Sequence, residues 1–198
     1  LITVGSASAA EGERALGGLA VELGDGTTVE ISVGILHGAR SGPVLYLQAA
    51  QHGNELNGIA AITRVWEELK PQVLSGAVVA VPVANPPALR AGIYSGDMSR
   101  TLRLSHALFH EAVVKADYAL NFHAWSQWMA SSVIVADWDR ASLQLAEALG
   151  LTFISPVRRS DPVVERKRML LPMAVEAGIP FVTPELSGVW DIYPRSME

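Results

Sequence analysis

His52 and Glu55 stand three residues apart in His52-Gly53-Asn54-Glu55, directly after the apolar run 44–50. At the start of a helix, residues i and i+3 share a face, so a neutral imidazole nitrogen and a carboxylate oxygen can each reach one cation at about 2 Å. His123, which closes the strand-like run Tyr118-Ala119-Leu120-Asn121-Phe122, offers a third ligand. Two His and one Glu leave a coordination position free, the pattern of a hydrolytic rather than a structural zinc site. A lone H-x-x-E is usually a solvated helix start. The reading gains because the third His and a spare carboxylate also fall at strand ends, beyond which parallel α/β sheets hold their ligands. That carboxylate is Glu185, after Phe181-Val182-Thr183-Pro184; beside a metal, and not bound to it, such a group can take a proton from water.

Four motifs in order, His52-Gly53-Asn54-Glu55, Val81-Pro82-Val83-Ala84-Asn85-Pro86, Asn121-Phe122-His123 and Val182-Thr183-Pro184-Glu185-Leu186, resemble those of the succinylglutamate desuccinylase/aspartoacylase family. The resemblance covers about 33–190. It implies a zinc carboxypeptidase-like α/β fold and one Zn2+ per chain held by His52, Glu55 and His123. It also implies Glu185 as general base and hydrolysis of the amide bond of an N-acyl amino acid or related small amide. One family feature is missing: after Asn85-Pro86 no Asp-x-Asn-Arg segment follows, and the next helix begins almost at once. Either this recognition loop is lost, or it exists and is not represented between Ile93 and Asp97; the abrupt helix start favours the second. Asn85, Arg90, Arg100 and Trp125 stand as candidates for substrate contact, with Arg103 beside them.

The chain has 198 residues, 49% hydrophobic and 18% charged, enough apolar surface for one well-cored domain over 1–198. We expect that domain to be short of a C-terminal extension and of the loop near 93–97. The net charge of −5 is spread without long runs, which leaves no footprint for nucleic acid. No stretch approaches a membrane span. Without cysteine, disulfides and thiolate metal sites are excluded, and a reducing cytoplasm fits. Self-association is left open. The chain starts at Leu1, so an N-terminal segment is expected either to have been removed or not to be represented.

Alternating Val29, Ile31, Val33 and Ile35 predict a half-buried strand at an edge, whereas 44–50 and 77–83 are continuously apolar, as in central strands covered on both faces. Helices are expected over 57–69, 99–116, 141–149 and 169–177, with further strands at 118–122, 133–135 and 181–184. This alternation predicts a three-layer α/β/α domain on a mixed, largely parallel sheet. The proline-bounded basic stretch 156–162 reads as a loop whose arginines could serve an anion.

His106 and His110 are four apart on a helix and could hold a metal, but His106 falls on the stripe of Leu102, Phe109 and Val113, which favours packing. His37 reads as a turn residue. Trp125 and Trp128 could wall a pocket for an apolar acyl group or simply pack. Ser126 lacks a base and an elbow motif. Besides the deacylase, two readings stay open: a metallocarboxypeptidase acting on peptides, and a non-catalytic binding protein that keeps the pocket.

Overall fold

The computed structural model describes residues 1–125, 130–162 and 169–188. Its elements run β1 (Ile2–Val4), β2 (Ala7–Ala9), β3 (Arg14–Glu22), β4 (Thr28–His37), β5 (Arg40–Gln48), α1 (Asn57–Glu68), β6 (Ser75–Val81), α2 (Pro86–Ala91), α3 (Met98–Glu111), β7 (Tyr118–Asn121), β8 (His123–Ala124), β9 (Ser132–Ala136), α4 (Arg140–Ala148), β10 (Phe153–Val157), α5 (Leu170–Glu176) and β11 (Phe181–Leu186). The large sheet has the order β10-β9-β11-β7-β5-β6-β4-β3, with β8 paired to β11. Pairing is parallel through β6, β5, β7 and β11 and again between β9 and β10. It is antiparallel at β9/β11, β4/β6 and β3/β4.

Alternation along the strands gives the sheet two apolar faces. Tyr46, Val79, Ala119 and Phe181 pack with Leu104 and Leu108 of α3 and Leu171 of α5, whereas Leu47, Val78, Leu120 and Val182 pack with Ile62 of α1 and Ala146 of α4. Helices therefore cover both faces, the three-layer arrangement expected from the sequence.

Several local expectations need correction. β4 is not an edge strand; β3 pairs with it along its whole length and takes the edge. The pair Gly17-Gly18 hides β3 in the sequence, yet the missing side chains serve packing, since a Cβ on Gly17 would lie 2.4 Å from Ala7 N. Of the loop expected over 156–162, Pro156 and Val157 instead close β10, which is the opposite edge, where a residue without N–H is tolerated, and the turn begins at Arg158. The 99–116 helix ends at Glu111 and a 3-10 turn follows. It buries Thr101, Leu104, Leu108 and Phe109, which leaves Leu102 and His106 exposed. His37 ends β4, with Nδ1 3.0 Å from Ala9 O.

His52 does not begin a helix, because α1 starts only at Asn57. Ala50 has a φ of 48°, a left-handed conformation that costs an L-residue roughly 1–2 kcal/mol, and it swings the chain out of β5. The bend is held as Ala84 N donates to Ala49 O and Asn85 N to Ala50 O. A single turn follows, in which Glu55 N donates to His52 O at 3.2 Å. That turn, not a helix face, brings the two side chains together. Gly53 lets the turn rest on α2, since a Cβ there would meet the Ala88 carbonyl carbon at 2.1 Å. Gly53→Ala should destabilise the protein by about 1–3 kcal/mol, as overpacking against rigid backbone does; an unchanged melting temperature would show that α2 is not a fixed wall.

Candidate functional site

Three strand ends converge on one cleft. His52 and Glu55 come from the turn after β5, His123 from β8 and Glu185 from β11, where Glu185 and His123 are register partners. In parallel pairing such neighbours project from the same side of the sheet, so the spare carboxylate comes alongside the histidine. The cleft measures about 540 Å³.

His52 Nδ1 lies 2.8 Å from Glu55 Oε1, and His123 Nδ1 lies 3.1 Å from both Glu55 Oε2 and His52 Nδ1. Two donors each about 2 Å from a tetrahedral ion stand about 3.3 Å apart, so these separations are close to those a single bound cation imposes. Glu55 Oε2 is buried without a hydrogen-bond donor aligned on it, although His123 Nδ1 faces it at 3.1 Å. A cation between them would satisfy both atoms. Among the described residues this is the one cluster of His, Cys, Asp or Glu with ligand atoms close enough to share an ion. His106 and His110, both exposed, have rings 4.3 Å apart with no carboxylate completing a set.

Burial works against the Glu55 carboxylate, but the His123 and His52 imidazoles outweigh it and bring its pKa down to about 2. Glu185 is pushed the other way, from 4.5 to about 7, by burial and then by the Glu55 charge, with His123 opposing. A carboxyl raised on folding binds more protons in the folded than in the unfolded state between these values. Its stabilising share is complete below 4.5 and is lost as pH rises through about 7. The metal-free protein should thus gain on the order of 1–3 kcal/mol over its Glu185→Gln variant between pH 8 and pH 5. Parallel denaturation curves across that range would contradict the buried placement of Glu185.

The remaining site candidates are placed as follows. Trp125 is half-exposed at the cleft. Asn85 is buried and caps α2 by accepting from Ala88 N; its amide donates to Gln51 O, Ser95 O and Thr101 Oγ1. Arg90 is exposed on α2, and Arg100 pairs with Asp25. Arg103 packs at Gly24 in the β3–β4 turn, and Arg159 stacks on Trp138. None of these arginines lines the cleft. Trp128 and Ser126 lie outside the described residues.

Sequence reasoning passed over Tyr94, whose ring stacks on His52 at 3.7 Å. Burial, then the Glu55 and Glu185 charges, raise its phenol pKa, so it stays an O–H donor in the cleft. It belongs to the link 92–97, which is pinned as Gly53 N donates to Ile93 O and Tyr94 O and as Thr101 Oγ1 donates to Ser95 O. No periodicity marks such a residue. Also passed over were Gln48 and Gln51 around Asn121; for Gln48 a signal existed, a polar residue inside an otherwise apolar strand.

Residues 41–94 match the model of the succinylglutamate desuccinylase/aspartoacylase catalytic domain. The chain is 27% identical over 179 residues to an N-alpha-acetyl-L-2,4-diaminobutyric acid deacetylase of Halomonas elongata, covering 79% of this chain and 51% of that protein. It thus spans about half the length of that curated relative. A succinylglutamate desuccinylase from Silicibacter sp. TM1040 superposes with a TM-score of 0.79 at 19% identity, over 99% of this chain and 67% of that one. The product-bound ectoine utilization protein EutE (DoeB) from Ruegeria pomeroyi superposes with a TM-score of 0.74 at 21% identity, over 93% and 62%.

Proposed function

Since the chain belongs to the succinylglutamate desuccinylase/aspartoacylase family, we propose that it is a zinc-dependent deacylase that hydrolyses the amide bond of an N-acyl amino acid or related small amide. One observation carries this reading: the β8/β11 register sets Glu185 beside the His52–Glu55–His123 cluster inside one cleft. His52 Nδ1, His123 Nδ1 and Glu55 would hold the ion. When bound, zinc supplies an electrophile that polarises the scissile carbonyl and acidifies water toward a pKa of about 7.

The chain's own residues do the rest. Glu185 accepts a proton from the attacking water as its oxygen bonds to the acyl carbon. When the C–N bond breaks, the same carboxyl returns that proton to the departing amine nitrogen. Tyr94 can donate its hydroxyl proton to the substrate from above His52. A cytoplasmic setting belongs to the same proposal, supported by the lack of cysteine; no helix among the described residues is long and apolar enough to cross a membrane.

One cleft wall is apolar, formed by Trp125, Ile134, Met169, Leu170 and Leu171. Burying a methylene in such a pocket changes kcat/KM by about 10- to 200-fold, whereas a second carboxylate set against it would lose water without gaining a partner. The deciding experiment is a panel of N-acyl amino acids, with acetyl, branched apolar and succinyl groups, run beside peptides on the zinc-loaded protein. The expected order is apolar acyl groups over succinyl and all small amides over peptides. Turnover of peptides alone would support a carboxypeptidase, and no turnover with zinc bound would support a binding protein.

A further inference from the structure

Behind His123, two amides and a phenol are sunk into the sheet face that carries the α3/α5 core, and the half-buried Gln51 meets them from the cleft. Tyr46 is fully buried, and Gln48 and Asn121 are nearly so at 2% and 4% exposure. Gln48 and Asn121 are register partners on β5 and β7. Burying such groups among Ala, Val and Leu is costly unless every hydrogen bond is met, and here the contacts form a chain. Tyr46 Oη is 2.7 Å from Gln48 Oε1, Gln48 Nε2 is 2.9 Å from Asn121 Oδ1, and Asn121 Nδ2 is 2.7 Å from His123 Nε2. Gln51 Oε1 accepts from Asn121 Nδ2 at 3.0 Å and from Gln48 Nε2 at 3.3 Å.

The direction of this chain decides which ring nitrogen of His123 carries the proton. With Asn121 Nδ2 turned toward Nε2, an amide donor there leaves the proton of a neutral ring to Nδ1, facing Glu55 and His52. A ring protonated there cannot bind a cation through Nδ1. Amide oxygen and nitrogen are nearly equal in size, so turning all three amides over leaves the heavy atoms in place. The His123 Nε2 proton then goes to Asn121 Oδ1, Asn121 donates to Gln48 Oε1, Gln51 donates to both, and Gln48 donates to the Tyr46 oxygen. Nδ1 is left with a free lone pair.

We infer that Asn121, Gln48, Gln51 and Tyr46 are positioning residues that set the tautomer of His123, in one polarity when the site is metal-free and in the reverse polarity when a cation is bound. This inference rests on the metal reading of the triad. The amide chain is the partner that a metal-bound imidazole needs on its other nitrogen, and its reversal couples the core of the sheet to the state of the site.

The experiment uses the whole chain at pH 8, labelled with 15N in histidine, and reads the His123 tautomer by long-range nitrogen–proton correlation before and after addition of Zn2+. The expected result is an Nδ1–H ring without metal and an Nε2–H ring with it. In Asn121→Asp, whose side chain offers only acceptors, Nε2–H should be present in both states. Zinc dissociation constants, from competition with a chromophoric chelator, should weaken about 10- to 100-fold in Asn121→Leu and Gln48→Met and stay within a few-fold of the parent in Asn121→Asp. Failure of Asn121→Leu to fold leaves the Asp variant and the parent spectra to decide. The same His123 tautomer in both metal states of the parent, or equal weakening in the Asp and Leu variants, would overturn the inference. A parent that binds no zinc would instead overturn the metal assignment, and its spectrum would still report the metal-free tautomer.

Discussion

Glu185→Gln is expected to lose about 10²- to 10⁴-fold in turnover while zinc content and fold stay those of the parent. The amide copies the shape of the carboxyl but cannot accept the proton of the attacking water. Because that proton moves only in the transition state, the loss should fall on kcat and leave KM nearly unchanged. Burial and the neighbouring Glu55 charge hold Glu185 near neutrality, about 7, where a carboxyl is a stronger base than in water. A positive ion at the triad would lower that value. Activity should therefore rise along an acidic limb whose midpoint is below that of the metal-free titration. Near-normal turnover would dismiss Glu185 as a catalyst, and loss of zinc would reassign it as a ligand.

The His52→Ala, His123→Ala double variant should retain no stoichiometric zinc and no hydrolysis. It removes both nitrogens and leaves Glu55 as a lone carboxylate. In the parent, a cation that binds only the folded state adds about 2.7 kcal/mol of stability at a hundredfold excess over its dissociation constant. The double variant should show no zinc-dependent rise in melting temperature. Elemental analysis and paired melts with and without zinc read both effects, and undiminished zinc in the variant would place the metal elsewhere.

Much of this was legible in the residues because the core strands are spelled by continuous apolar runs. Val78 to Val81 and Leu45 to Leu47 sit in the middle of the sheet as their composition requires. The convergence of His52, Glu55, His123 and Glu185 followed from strand-end placement, although the route differed. His52 reaches Glu55 through a turn launched by a strained Ala50, and a backbone angle has no signature in composition. The edges were hidden for physical reasons. β3 carries glycines where β2 packs close, and β10 contains a proline, which reads as a loop in the sequence. Tyr94 was invisible because its position is dictated by hydrogen bonds from Gly53 to the link backbone, not by any pattern in its neighbours.

The span of the site along the chain also has a temporal consequence. Asn57, at the head of α1, is tied to the carbonyls of Ser187 and Gly188 across 131 residues, and Glu185 sits on the last described strand. The parallel pair β5/β7 must wait for β7 and β7/β11 for that last strand, whereas the β3/β4 hairpin is local and can form at once. At about 5–20 residues per second of synthesis, roughly 7–26 s separate the emergence of the first ligand segment from that of the last strand. A nascent chain stalled before β11 would display His52, Glu55 and His123 without the strand that aligns β8. The finished geometry of the candidate site is then assembled only after β11 has been synthesised.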